Sequence, residues 1–64
     1  MKGKIKYFLG KKGYGFITAE DKDYFFMQTD FIERKDGFCK VGREVSFFPT
    51  KNDRGLRATQ IVAG

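Results

Sequence analysis

Residues 12–17 read Lys-Gly-Tyr-Gly-Phe-Ile, and this segment carries the clearest signals for both fold and function. The period-two alternation over residues 14–19 predicts a β-strand with Tyr14 and Phe16 on one face. Gly15 lies between the two rings and has no side chain, so a ligand or another backbone can approach it closely. We therefore expect a strand that presents two aromatic rings on the face opposite the core.

Four other segments also have the pattern of short strands, and turn signals separate all of them. The five strands are predicted at residues 2–8, 14–19, 24–28, 44–48 and 56–62. Pro49 is expected to end the fourth strand, and Asp30 with Glu33 predicts a single helical turn. Five short strands predict an all-β fold that closes, or nearly closes, into a small barrel, because closure hides the strand edges.

Alternation along the strands also assigns the side chains of the barrel interior. The residues expected inside are Ile5, Ile17, Phe26, Phe31, Val41, Val45, Phe47 and Ile61. The first strand contains a conflict, because in a regular strand Tyr7 shares the face of Ile5. A bulge or strong coiling must therefore re-aim Tyr7 or Phe8, and the sequence leaves both possibilities open.

Aromatic and basic residues combine on the opposite face of the predicted barrel. The rings expected to point outward are Tyr14, Phe16 and Phe25, and the lysines near them in the sequence are Lys4, Lys6, Lys11 and Lys12. Exposed rings can stack on unpaired bases, at about 1–3 kcal/mol per base, while ammonium groups meet phosphates and release counterions. A duplex keeps its bases inside, so this pattern favours single-stranded nucleic acid.

The composition excludes several classes of protein. The chain has thirteen Lys and Arg against eight Asp and Glu, and the net charge of +5 indicates a polyanionic partner. With no His and one Cys it cannot build the usual zinc sites or a Ser–His catalytic pair. We therefore expect no enzyme, no metal and no cofactor. Cys39, being alone, forms no internal disulfide.

The length and the hydropathy pattern bound the organisation of the chain. We expect one domain over residues 1–64, with a small core. No apolar run is long enough to span a membrane, and no signal peptide is visible, so we expect a cytoplasmic protein with no membrane partner. We further expect a monomer that has no small-molecule substrate.

Two segments resemble known nucleic-acid-binding motifs. Residues 12–17 resemble the first ribonucleoprotein motif, K-G-F/Y-G-F-I, and residues 23–27 (Asp-Tyr-Phe-Phe-Met) resemble the second, shorter one. The long motif comes first, which is the order of cold-shock domains and the reverse of RNA-recognition-motif domains. Further segments similar to cold-shock domains are residues 3–8, 36–38, 41–47 and 54–58. The resemblance therefore spans the chain from Lys2 to Val62.

The resemblance to the cold-shock family implies a fold, a function and a set of binding residues. The implied fold is a five-stranded antiparallel OB-fold barrel, and the implied function is binding of single-stranded RNA and DNA as an RNA chaperone without catalysis. The implied stacking rings are Tyr7, Phe8, Tyr14, Phe16, Phe25 and Phe38, with Lys6 and Lys12 as phosphate or base-edge contacts. Met27, at the position of a stacking His, and Arg57 complete the candidate nucleic-acid-binding residues.

Several positions depart from the family pattern. Tyr7 replaces a Trp, Met27 replaces the stacking His, Gln28 replaces a stacking Phe, and Leu56 replaces the usual Pro. We therefore expect weaker stacking, which the net charge of +5 can offset. If about 3–5 phosphates are neutralised, the logarithm of the binding constant should fall against the logarithm of salt concentration with a slope of roughly −2 to −3.5.

Two other functions are compatible with the sequence. A small basic chromatin protein with an SH3-like barrel would bind duplex DNA through the minor groove. A protein-interaction module would use the same rings against another protein or a second copy of the chain. For three of the rings the alternative is packing, since Tyr7 and Phe8 can belong partly to the core and Phe38 can plug the end of the barrel.

Overall fold

The computed structural model describes residues 1–64 and consists of five strands and one short 3₁₀ turn. The elements are β1 (Lys2–Leu9), β2 (Tyr14–Ala19), β3 (Lys22–Met27), the turn Gln28–Asp30, β4 (Glu44–Asn52) and β5 (Gly55–Ala63). The strands close into a barrel in the order β1-β2-β3-β5-β4. The predicted all-β, five-stranded barrel is therefore confirmed. Four of its strand contacts are antiparallel, and β3 meets β5 in parallel at Phe25 and Arg57.

The core is a single cluster of buried side chains inside the barrel. Its members are Ile5, Ile17, Ala19, Tyr24, Phe26, Phe31, Val45, Phe47, Ala58 and Ile61. The prediction for Val41 is wrong, because this residue is 60% exposed. Val41 lies in the loop before β4, where the alternation of a strand does not apply. Tyr24 fills interior space that the sequence reading left unassigned, with its ring 5.1 Å from that of Phe47.

A bulge in β1 resolves the conflict between Ile5 and Tyr7. Ile5 pairs with Ile17, but the next pair along the strands is Tyr7 with Phe16, so Lys6 is the additional residue on β1. The bulge turns Tyr7 to the outer face while Ile5 stays buried. Of the two possibilities left open by the sequence, the structure therefore re-aims Tyr7.

β4 continues through Pro49 to Asn52, so the prediction that Pro49 ends the strand is wrong. A two-residue turn closes the β4–β5 hairpin with the pair Asn52–Gly55. Beyond this pair, hydrogen-bonded and non-hydrogen-bonded pairs alternate along the two strands. The pair of Pro49 with Ala58 is a non-hydrogen-bonded pair. The nitrogen of Pro49 thus faces an open strand edge, because β1 pairs only with residues 44–46 of β4.

The single helical turn was predicted to begin at Asp30, but in the structure it ends at Asp30. The 3₁₀ turn covers Gln28–Asp30, and the Asp30 carboxylate accepts a hydrogen bond of 2.8 Å from the backbone N–H of Met27. Because this carboxylate reaches back along the chain, Asp30 stabilises the turn that ends with it. Glu33 takes no part in this turn and pairs with Lys35 at the surface.

Candidate nucleic-acid interface

Four aromatic rings form a continuous group on the outer face of β1, β2 and β3. Phe16 lies in its middle, with ring centroids 5.4 Å from Tyr7 and 5.7 Å from Phe25. Tyr14 continues the group at 5.5 Å from Phe25. We call Tyr7, Tyr14, Phe16 and Phe25 the aromatic surface. Tyr7 is exposed, and the other three are half-buried, partly by one another.

The strand register produces the aromatic surface. Phe16 lies opposite Tyr7 on one side and opposite Phe25 on the other, and opposite residues on one face of an antiparallel pair lie within contact distance. The bulge at Lys6 is needed for this, since a regular β1 would turn Tyr7 inward. None of the three ring pairs is stacked face to face. The rings therefore leave part of their faces open to a partner.

Phe8 and Phe38 lie in a second group that packs on the core. The ring of Phe8 stacks on buried Phe26 at 6.0 Å with an angle of 9°. Phe38 makes an edge contact of 4.9 Å with buried Phe31, and its ring is 6.5 Å from Phe8. The structure thus places both rings over the core, as the packing alternative supposed, and does not bring them into the aromatic surface. Both are half-buried, so a base contact at their open sides stays a prediction.

The two predicted lysine contacts differ in their electrostatic surroundings. The Lys6 ammonium donates a hydrogen bond of 2.9 Å to the Asp23 carboxylate, and this bond raises the pKa of Lys6 above its usual value. A phosphate that approaches Lys6 must therefore compete with Asp23. Lys12 lies exposed in the turn between β1 and β2 and forms no ion pair. Lys12 is thus the freer of the two cations.

Arg57 and Met27 border the aromatic surface beside Phe25. The guanidinium carbon of Arg57 lies 5.9 Å from the ring centroid of Phe25, within the range of a cation–π contact. Met27 is 40% exposed and lies opposite Tyr14 on the neighbouring strand. The Met27 thioether therefore extends the apolar surface at the position where the cold-shock pattern has a stacking His ring.

Several residues near the aromatic surface were missed by the sequence analysis. Leu9 is 41% exposed and lies opposite Tyr14, so it shares the outer face. A cleft of about 520 Å³ adjoins the rings, and its lining residues are Phe16, Asp23, Phe25, Asn52, Arg54, Leu56 and Arg57. The outward position of Leu9 follows from the bulge. The part of the cleft formed by the β4–β5 hairpin depends on barrel closure, for which the sequence carries no local signal.

The Asp and Glu side chains and Cys39 form no group of three or more that could hold a metal ion. The structure also contains no helix with the length and hydropathy needed to cross a bilayer.

Cys39 is half-buried against the core, and this burial raises the pKa of its thiol from 9.0 to about 11. The folded state therefore holds the thiol proton more tightly than the unfolded chain does. This contribution to stability is complete below about pH 9 and is lost as the pH rises toward 11. We predict that the wild-type protein loses stability relative to Cys39→Ala across this interval, as measured by urea unfolding at a series of pH values. Parallel pH profiles for the two proteins would contradict the prediction.

Comparison with known proteins gives a consistent result over almost the whole chain. The model of the 'Cold-shock' DNA-binding domain matches residues 1–63. The chain is 40% identical over 62 residues to cold shock protein CspD of Bacillus subtilis, covering 94% of this chain and 92% of the relative. The same identity and coverage are found with cold shock protein 1 of Lactiplantibacillus plantarum. Cold shock protein CapB of Pseudomonas fragi is 38% identical over 61 residues, covering 92% of this chain and 87% of the relative.

Proposed function

The chain belongs to the family of cold-shock DNA-binding domains, and from this premise we propose that it binds single-stranded RNA and DNA as an RNA chaperone. Proteins of this family bind nucleic acid and are not enzymes. The proposal assigns binding to stacking on the aromatic surface and to phosphate contacts from lysines around it. The observation that carries the proposal is the continuous group of four outward rings on β1, β2 and β3.

The rings support the proposed preference for single strands. An unpaired base can lie on an aromatic ring whatever its identity, and such stacking contributes about 1–3 kcal/mol per base. A duplex offers its bases only at the groove edges, so the same rings gain little from it. Binding to unpaired bases also draws a folded RNA open by mass action, without ATP. The proposed chaperone activity is this displacement of the equilibrium between paired and unpaired strands.

The test of the proposal is competition between a single strand and its duplex. A labelled oligo-dT of about seven nucleotides lies within the 4–16 nucleotides that such barrels engage. Unlabelled single strand should displace it at much lower concentration than the matching duplex. In a second arm, excess protein should open a hairpin that carries a fluorophore and a quencher at its ends. Equal or tighter binding of the duplex would favour the minor-groove alternative and overturn the proposal.

Lys12→Ala is predicted to weaken oligonucleotide binding in a salt-dependent way. Lys12 is exposed and unpaired, so its ammonium group is available to one phosphate. Loss of that contact should flatten the slope of log K against log salt by about 0.7. The measurement is a titration of oligo-dT at several salt concentrations, with Lys35→Ala as the matched control because Lys35 is already paired with Glu33. An unchanged slope for Lys12→Ala would mean that Lys12 contacts no phosphate.

A further inference from the structure

One carboxylate, that of Asp30, links the end of β3 to the beginning of β5. Its side chain is only 13% exposed. Oδ2 accepts hydrogen bonds from the backbone N–H of Met27 at 2.8 Å and from Nη2 of Arg57 at 3.1 Å, and Oδ1 lies 3.4 Å from the same Nη2. These contacts fix both the turn that follows β3 and the direction of the Arg57 side chain.

Arg57 is held in this way at the border of the aromatic surface. Its guanidinium carbon lies 5.9 Å from the ring centroid of Phe25, and its side chain lines the cleft of about 520 Å³ together with Phe16 and Leu56. Only Nη2 has an acceptor in the protein. Nη2 carries two N–H groups and the carboxylate occupies one of them, so the second N–H of Nη2 and a parallel N–H on Nε or Nη1 are left for a ligand, beside the ring on which a base would stack.

The ion pair changes what Arg57 can recognise. A guanidinium that is already neutralised by a partly buried carboxylate contributes little to counterion release, which requires a free cation at a phosphate. Its remaining donors can still bind the edge of a base, and a planar fork of two donors matches the O6 and N7 acceptors of guanine. Adenine presents a donor in place of O6 and matches this fork poorly. The position of Arg57 beside Phe25 thus suits a contact with a base edge better than a contact with the phosphate backbone of the nucleic acid.

We propose that Asp30 is a positioning residue that holds Arg57 beside Phe25 as a reader of the base edge, so that one subsite prefers guanine over adenine. This inference rests on the proposed function, because it presumes a single strand bound on the aromatic surface. It assigns the two residues different roles, since Arg57 touches the base and Asp30 acts only through Arg57.

The test begins with the wild-type protein and a series of oligo-dT strands of about seven nucleotides. One dG or one dA replaces a thymidine at each position in turn. At one position dG should bind more tightly than dA by about 5-fold to 150-fold, the discrimination expected of a bidentate arginine–guanine pair. Equal affinities for dG and dA at every position would overturn the inference.

Two variants then distinguish the base contact made by Arg57 from the positioning role of Asp30. Arg57→Lys keeps the charge and an ion pair with Asp30 but removes the planar fork, so the guanine preference should weaken while the salt slope stays the same. Asp30→Asn still offers an oxygen to the Met27 N–H but no longer neutralises Arg57. We expect it to lose the guanine preference and to steepen the salt slope by about 0.7, because Arg57 becomes a free cation. A purely structural role for Asp30 would not steepen that slope.

Glu33→Gln serves as the matched control, because it removes one carboxylate that is 68% exposed and paired with Lys35, away from Arg57. It should retain the guanine preference and the wild-type slope. An undiminished guanine preference in Arg57→Lys would overturn the assignment of Arg57, and an Asp30→Asn protein with the wild-type guanine preference and salt slope would overturn that of Asp30. If the wild-type protein binds no oligonucleotide, the proposed function fails as well, whereas binding without guanine preference overturns this inference alone.

Discussion

Gly15→Ala is expected to unfold much of the protein at room temperature, although it adds a single methyl group. A Cβ atom at this position would overlap the carbonyl oxygen of Tyr7 and lie 2.9 Å from Cα of Phe8. Both atoms belong to the backbone of β1 where it pairs with β2, so neither can turn aside as a side chain can. Cζ of buried Phe26 would lie 3.0 Å from the same Cβ atom. The two strands would have to separate.

The expected loss is large compared with the stability of so small a domain. A chain of 64 residues has a free energy of unfolding of about 3–10 kcal/mol at roughly 0.05–0.15 kcal/mol per residue. Overpacking of a core costs about 1–3 kcal/mol and occasionally more, and here the clash is with backbone. Urea and thermal unfolding followed by circular dichroism measure the effect. Gly10→Ala is the control, since its Cβ would meet only Cε2 of Phe8, at 3.8 Å. A melting temperature of Gly15→Ala close to that of Gly10→Ala would contradict the steric argument.

In the regular strands, the sequence alone was sufficient to assign side chains to the inner or the outer face of the barrel. β2 and β3 pair without a register shift from Tyr14–Met27 to Ala19–Lys22. Because nothing interrupts the period of two, alternation alone assigned Phe26 to the core and Phe25 to the outer face. The same alternation carried the signal for Tyr24, which shares the parity of Phe26 and is buried beside it.

The features that sequence reading missed depend on contacts between distant parts of the chain. Alternation showed that β1 must be irregular, but the choice of Tyr7 as the outward ring follows from its pairing with Phe16. The continuation of β4 through Pro49 depends on which edge its nitrogen faces. The ion pair between Asp30 and Arg57 joins residues 27 positions apart, and it forms only because β3 and β5 meet when the barrel closes. Local sequence patterns cannot predict such contacts.

The adjacent residues Phe25 and Phe26 on β3 are expected to respond differently to substitution, because Phe25 lies half-buried on the outer face and Phe26 is completely buried. Phe25→Ala should leave the barrel folded, because the ring contacts mainly the outward side chains Phe16, Tyr14 and Arg57. Its affinity for oligo-dT should fall by about 1–3 kcal/mol for the loss of one stacked base. Phe26→Ala should instead cost about 3–5 kcal/mol of stability, as expected for a fully buried ring.

The measurements are oligo-dT titration and urea unfolding on both variants. Phe25→Leu distinguishes stacking from general apolar contact, because leucine keeps apolar area but has no flat face for a base. If stacking supplies the affinity, Phe25→Leu binds as weakly as Phe25→Ala; if apolar area alone is needed, leucine restores most of the binding. A Phe25→Ala protein that unfolds like Phe26→Ala would show that the outer ring holds the barrel together. A folded Phe25→Ala protein with wild-type affinity would remove Phe25 from the proposed interface.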